Sequence, residues 1–212
     1  MTNSGSEEAQ RHALDRRLPF FGVAEELFVR HGFERTTVEE ICRATRASKR
    51  TFYQLFRNKL DLLVQLSLHV AEEIVGRWKE RSAGESSATV RLKLFIREYE
   101  RIGREREILR VLVSAPGALS SETDITIFKD SPLMAAMNEI LEHGAATGEF
   151  RVSDPTRMSW VIFTYLDSTY YLLPMMERRS GPLDDEELAA EVRSLLIYGL
   201  LTRVPNGDDH ES

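Results

Sequence analysis

Two helix-start signals stand close together in the first quarter of the chain: Thr36-Thr37-Val38-Glu39-Glu40 and, shortly after it, Ser48-Lys49. In the first, Thr36 and Glu39 have the spacing of a capping box. In the second, Ser48 can accept a hydrogen bond from the opening turn of a helix running Lys49 to Phe56. Only Thr45 to Ala47 lies between them, enough for a turn and nothing longer. Val38, Ile41 and Cys42 point inward from the first short helix. Phe52 and Phe56, four residues apart, form the apolar anchor of the second. Two short amphipathic helices joined by a tight turn make a helix-turn-helix. The anchor needs packing partners, and the flanking segments supply them. A helix from about Leu18 to His31 carries Phe20, Ala24, Leu27, Phe28 and His31 on one stripe, with Pro19 in its first turn and Gly32 at its end. A long helix starting at Asn58 and Asp61 and running to about Glu80 carries Leu62, Leu63, Leu66, Val70, Ile74 and Trp78.

The rest of the chain continues in helices. Ser82 to Ser87 is a Gly/Ser-containing loop, and helical patterns follow at about 88–102 and 104–115, the latter ended by Pro116-Gly117. Leu119 to Ser131 is irregular. Further helices read at about 132–147, at 155–176 behind the cap Asp154-Pro155, and at 185–203 with an acidic first turn that suits the helix dipole. No segment alternates with a period of two, and there is no internal repeat. The chain is expected to be all-α. Its divisions would be a disordered arm over 1–15, a helix-turn-helix domain over 16–63, a larger helical domain over 64–204 and a disordered tail over 205–212.

Charge separates these regions. The net charge is −6. Residues 1–60 hold eleven Lys/Arg and eight Asp/Glu, a balance of +3, whereas the remainder holds seventeen and twenty-six, a balance of −9. Arg43 to Lys59 contains Arg43, Arg46, Lys49, Arg50, Arg57 and Lys59 and no acid. A basic segment on an acidic protein points to a polyanionic partner for that segment; a solvated helix face is the plainer alternative. The single cysteine, Cys42, cannot form an internal disulfide and reads as a small buried hydrophobe in a reducing compartment. The first residues have no apolar core of a secretory signal, and Met158 to Leu173 is too short to cross a bilayer and carries Asp167. A cytoplasmic protein without membrane contact is expected. No GxGxxG, P-loop, GxSxG or HExxH pattern occurs, and the five histidines are scattered. No catalytic residue, metal ligand or cofactor is therefore assigned. A helical enzyme or a protein-interaction module remains the alternative, and the latter leaves the basic segment unexplained.

The second short helix opens Ser48-Lys49-Arg50-Thr51-Phe52-Tyr53. In a major groove, Lys49 and Arg50 can reach base edges or phosphates, an arginine fork matching the acceptors of guanine. Ser48, Thr51 and Tyr53 are neutral donors suited to phosphate. Helix N-termini at Thr37 and Lys59 add dipole and amides for further phosphates. These residues, with Arg46 in the turn, form the candidate contact set for double-stranded operator DNA.

The run Thr36-Thr37-Val38-Glu39-Glu40-Ile41, then Ser48-Lys49-x-Thr51-Phe52-Tyr53-x-x-Phe56-x-Asn58-Lys59, resembles the signature of the tetracycline-repressor (TetR) family. Ala24-x-x-Leu27-Phe28-x-x-x-Gly32-Phe33 upstream matches the same pattern. The resemblance spans roughly residues 17 to 63; farther on it extends to helix layout and to Gly148-Glu149-Phe150-Arg151 before Asp154-Pro155. It implies a homodimer that places the third helix of each subunit in the major groove, an effector pocket in the C-terminal domain, and repressor function. Three positions depart from it. Arg46 stands where members often have Gly in the turn, so it would have to adopt a positive φ. Arg50 stands where Gly or Pro is frequent, and Leu55 where His is.

Aromatic and methionine side chains gather in the larger domain. Taken alone, each is most simply core. The resemblance suggests that Trp78, Phe95, Tyr99, Met134, Met137, Trp160 and Phe163 line a site for a small, largely apolar effector. The 155–176 helix is apolar almost all round, and the last helix carries Leu188, Val192, Leu195, Leu196, Tyr198 and Leu200. Together they are the expected helices of a dimer interface.

Overall fold

The computed structural model describes residues 4–115, 131–177 and 181–202, with side chains from residue 12 onward apart from those of Met175 and Glu177. Every regular element among them is a helix, and the only β-type pairing is an isolated bridge between Phe150 and Leu201. The irregular stretch expected over 119–131 lies outside the described residues except for Ser131, and so does the expected C-terminal tail. The helices are α1 (Ser4–His31), α2 (Val38–Ala44), α3 (Lys49–Leu55), α4 (Lys59–Arg81), α5 (Ala88–Glu105), α6 (Ile108–Ser114), α7 (Pro132–Ala146), α8 (Pro155–Asp167), α9 (Leu173–Glu177) and α10 (Glu186–Leu200). A π-helical segment, Ser168–Leu172, joins α8 to α9. No described helix is long and apolar enough to cross a membrane.

The chain divides into two compact units. The first comprises the described residues up to His69 together with Glu107 to Ala115; the second takes in Val70 to Arg106 and the described residues from Ser131 on. Helix α4 contributes its beginning to one and its end to the other. The boundary drawn from sequence at 63/64 would assign α6 to the larger domain, whereas α6 packs on α1 inside the first unit.

In the first unit, the rings of Phe20, Phe52 and Phe56 meet at centroid distances of 5.3 to 6.1 Å. They fix α3 to α1, with Ala24, Phe28, Ile41, Leu62 and Leu66 completing a buried core. Cys42 is buried in that core, and burial pushes its thiol pKa up, as a small structural hydrophobe requires. Two details correct the sequence reading. Helix α1 starts at Ser4 rather than near Leu18, because Glu7 to Arg17 is composed mostly of good helix formers. Pro19 consequently sits inside the helix, where it removes one backbone hydrogen bond. The capping box of α2 is formed by Thr37 and Glu40, one residue later than expected. Thr36 is buried instead, its hydroxyl donating toward the carbonyls of Gly32 (2.9 Å) and Leu27 (3.2 Å).

In the second unit, α5 packs against α7 and α10, and α7 against α8. Gly148, with φ of +75°, ends α7 in a left-handed turn that delivers Glu149 and Phe150. The Glu149 carboxylate accepts from the amides of Ala88 (2.8 Å) and Thr89 (3.0 Å) and from the Ser87 hydroxyl (2.8 Å), capping α5 across a long sequence separation. Phe150 lies so close over Gly144 that a Cβ there would meet its ring at 2.1 Å. On α10, Val192, Leu196 and Leu200 face the interior of their own chain, while Leu195 (67% exposed) and Tyr198 (50%) point outward. Leu196 is thus core, not surface, and the outward stripe is narrower than its apolar residues suggest.

Candidate nucleic-acid interface

The turn between α2 and α3 is closed by backbone bonds from Thr45 to Ile41 and from Ala47 to Cys42, both 2.9 Å. Arg46 adopts φ of +55°, the left-handed conformation demanded where the related pattern carries glycine. Ser48 then caps α3, accepting from the Thr51 amide at 3.0 Å, and its hydroxyl also bonds the Thr51 hydroxyl at 2.9 Å. One hydroxyl hydrogen of that pair remains for an outside acceptor.

Because Phe52 and Phe56 take the inner face of α3, the outer face is set by spacing. Lys49, Arg50 and Tyr53 are exposed on it, Tyr53 at 57%, and Arg43, Arg46 and Arg57 are exposed beside it. Arg50 has no ion pair among the described residues. Lys49 does: its ammonium pairs with Glu39 of α2, and the hydrogen bond pulls the Glu39 pKa down and the Lys49 pKa up.

Two members of the expected set are used by the protein itself. The Thr37 amide and hydroxyl both donate to the Glu40 carboxylate, at 2.8 and 3.0 Å. The Lys59 ammonium donates to the carbonyls of Phe33 (2.6 Å), Thr36 (2.8 Å) and Glu34 (3.2 Å) and lies 4.4 Å from the centroid of the Phe33 ring. All three of its N–H groups are spent, and burial lowers its pKa. Lys59 therefore ties the α1–α2 loop to the start of α4 and is not free to grip phosphate. Its basic character is all that the sequence reveals; the three carbonyls come from residues more than twenty positions away.

In the second unit the structure gathers most of the aromatic set. Trp78 and Phe95 meet at 5.7 Å, Phe95 and Phe163 at 6.1 Å, and Tyr99 and Phe163 at 6.4 Å, all edge to face. Met134 and Met137 are buried on α7, and Trp160 is half-buried. Other residues of this region lie outside that lining set. Tyr170 and Tyr171 of the π-helical segment are both buried and stand 6.2 and 6.0 Å from Tyr99. Three carboxylates accompany them. Glu98 pairs with Arg81 (2.8 Å) and Arg101 (2.7 Å). Glu100 pairs with Arg193 (2.5 Å) and accepts from Tyr170. Asp167 accepts from the Tyr99 hydroxyl at 2.5 Å. The signal was present as Glu98-Tyr99-Glu100 on a helix, but acids on a helix normally read as its solvated face.

A short capped helix, anchored by two phenylalanines and showing cationic, hydroxyl and amide groups outward, has the form of the second helix of a DNA-binding helix-turn-helix. Residues 21–66 match the sequence model of bacterial regulatory proteins, tetR family. Solved structures share the fold along nearly the whole chain. FadR of Bacillus subtilis in complex with stearoyl-CoA is 21% identical, with a TM-score of 0.68, covering 86% of this chain and 98% of that one. A regulator of the TetR/AcrR family from Thermobifida fusca is 25% identical, with a TM-score of 0.60 and coverage of 90% and 100%. The regulatory protein TetR of Rhodobacter sphaeroides is 20% identical, with a TM-score of 0.61 and coverage of 87% and 98%. No curated protein sequence matches the chain significantly. All three relatives in fold are regulatory proteins.

Proposed function

We propose that the protein is a homodimeric repressor that grips a palindromic operator through α3 and releases it when a small, largely apolar molecule occupies the second unit. The outward face of α3 carries this reading: Lys49, Arg50 and Tyr53 are held at the surface by an interior anchor, with no acid between Arg43 and Lys59. In that arrangement Arg50 reads a base edge, and Lys49, Arg46, Tyr53 and the Ser48–Thr51 hydroxyl pair contact phosphates. Large apolar side chains left exposed on the last helices support dimerisation. They are Val161 on α8, Leu173 and Met176 on α9, and Leu195 and Tyr198 on α10. Ala190, Ser194 and Gly199 beside them are small and exposed, which favours close helix contact. The aromatic and methionine cluster of Trp78, Phe95, Tyr99, Met134, Met137, Trp160 and Phe163 supports an effector with an apolar body. FadR, of the same fold, has been solved with stearoyl-CoA.

The test is a selected duplex operator titrated at several salt concentrations. With four or more phosphate contacts per subunit, affinity should fall by about 10³-fold or more between 50 and 200 mM salt. A flat salt dependence would refute the DNA reading. Effector control is tested by measuring ligand affinity with and without operator, since linkage requires each to weaken the other by the same factor.

A further inference from the structure

Among the described carboxylates enclosed in the second unit, Asp167 is the exception in its company. Glu98 and Glu100 are each neutralised by arginine. No Lys, Arg or His nitrogen of a described residue lies within 4.0 Å of the Asp167 carboxylate, which accepts a hydrogen bond from the Tyr99 hydroxyl. Taking a carboxylate out of water without a cation is costly. Burial raises its pKa, and the Tyr99 hydrogen bond only partly opposes that. Yet Asp167 is not sealed off. Protein atoms crowd it on nearly every side, but the residue keeps accessible surface. Its carboxylate therefore remains within reach of a ligand.

The surroundings of the carboxylate are aromatic. Phe163 lies one helical turn before Asp167, and Tyr170 and Tyr171 follow it in the π-helical segment. All three stand 6.0 to 6.4 Å from the Tyr99 ring and meet it edge to face. The π-helical segment lets both neighbouring tyrosines be buried at once, and such segments recur at functional sites. Tyr99 itself stays a protonated donor: burial, then the negative charge of Asp167, holds its phenol well above the ordinary range. An anionic ligand group would be repelled by Asp167. A neutral one would leave the carboxylate uncompensated. A cationic nitrogen would pair with the carboxylate and lie against electron-rich rings.

We propose that Asp167, framed by Tyr99, Phe163, Tyr170 and Tyr171, receives the cationic nitrogen of an organic ligand whose remaining body is apolar. The proposal rests on the reading of the second unit as the effector domain and adds the charge of the effector to it. Three probes with one chain length and different heads test it: decyltrimethylammonium, decanol and decanoate. Each is titrated below its micelle concentration into the full-length protein by calorimetry. The wild type should bind the ammonium at least about ten-fold more tightly than the alcohol, with the carboxylate weakest. Asp167→Asn, checked by circular dichroism and melting, should bind decanol as before and lose the preference for the ammonium. Equal binding of ammonium and alcohol by the wild type overturns the cation site and leaves an apolar effector domain standing. So does a preference for decanoate. An ammonium preference unchanged in a folded Asp167→Asn protein also overturns it. Failure of all three probes to bind overturns both the cation site and the apolar-effector reading. The wild-type ranking needs no variant, so a misfolded substitution does not block the test.

Discussion

The two units treat charge in opposite ways. In the first, the buried residues are apolar apart from Thr36 and Ser67, whose hydroxyls bond carbonyls, and the cations of α3 stand outside, while Lys59 is drawn onto backbone carbonyls. In the second, Glu98 and Glu100 are fully enclosed and drawn into pairs with Arg81, Arg101 and Arg193. A solvated arginine such as Arg50 contributes little to stability and stays available to a polyanion. A buried ion pair also adds little net stability, because desolvation offsets attraction, but removing one partner is severe. The lesson is a division of labour: unpaired surface charge such as Arg50 in the first unit stays free for an outside partner, and paired interior charge in the second fixes how its helices fit.

If assembly belongs to the second unit and reading to the first, the two can be broken separately. The largest effect is expected from assembly. Leu195→Glu combined with Tyr198→Glu places charge on the outward stripe of α10 without touching the core. Sedimentation should report a folded monomer, and loss of the linked second half-site should weaken operator binding about 10²-fold or more. A dimer that persists would move the interface off α10. Leu196→Glu is the wrong probe, since that side chain is interior and its loss would unfold the chain.

Next in size is Arg50→Ala. It should cost about 1–3 kcal/mol and relax sequence preference at one position of each half-site. Tyr53→Phe should weaken all sequences alike, by about 1 kcal/mol. A uniform loss for Arg50→Ala across a site library would reassign it to phosphate.

The second unit offers a charge that acts on stability alone. Burial pushes the Glu149 pKa up, but bonds from the Thr89 and Ala88 amides and the Ser87 hydroxyl outweigh it and hold it at about 2. The folded value lies below the ordinary 4.5. The stabilisation is therefore complete above about pH 5 and disappears as pH falls from there through about 2. Glu149→Gln should lower stability by about 2 kcal/mol at neutral pH. Denaturation followed against pH should show the gap between the two proteins closing in acid. A constant gap would mean that shape, not charge, makes the cap.

What could be read beforehand follows the same division. The first unit was legible because its signals are local: Ser48 caps the helix it precedes, Phe52 and Phe56 recur at helical spacing, and Arg46 occupies a turn that allows one conformation. Its errors were also local, a cap displaced from Thr36 to Thr37 and a helix extended through Pro19. Lys59 was misread because its three acceptors are distant in sequence. In the second unit the helices were visible but their chemistry was not. Nothing near Glu98 or Glu100 in sequence announces Arg193 or Tyr170, which lie seventy or more residues away. The 155–176 pattern is continuous, and periodicity alone does not reveal that it passes through a π-helical segment at Ser168–Leu172.

The smallest expected effect sharpens the contrast at its one blurred point. On the outer face of α3, Lys49 is the cation that is already paired, to Glu39. Both side chains are more than half exposed, so water screens the pair and it adds little to folding. Its consequence is for binding. A phosphate must compete with Glu39 for the Lys49 ammonium, and the Glu39 carboxylate stands near the incoming backbone as a like charge. Glu39→Gln removes both obstacles while keeping the size of the side chain. Operator affinity should rise by about two- to five-fold at low salt, and the slope of log affinity against log salt should steepen by up to about one. The gain should be the same for operator and random duplex, because phosphate carries no sequence, and it should vanish in a Lys49→Ala background. Unchanged affinity with an unchanged slope would mean that Lys49 stays with its partner on DNA, and that Glu39 positions the lysine rather than restraining it.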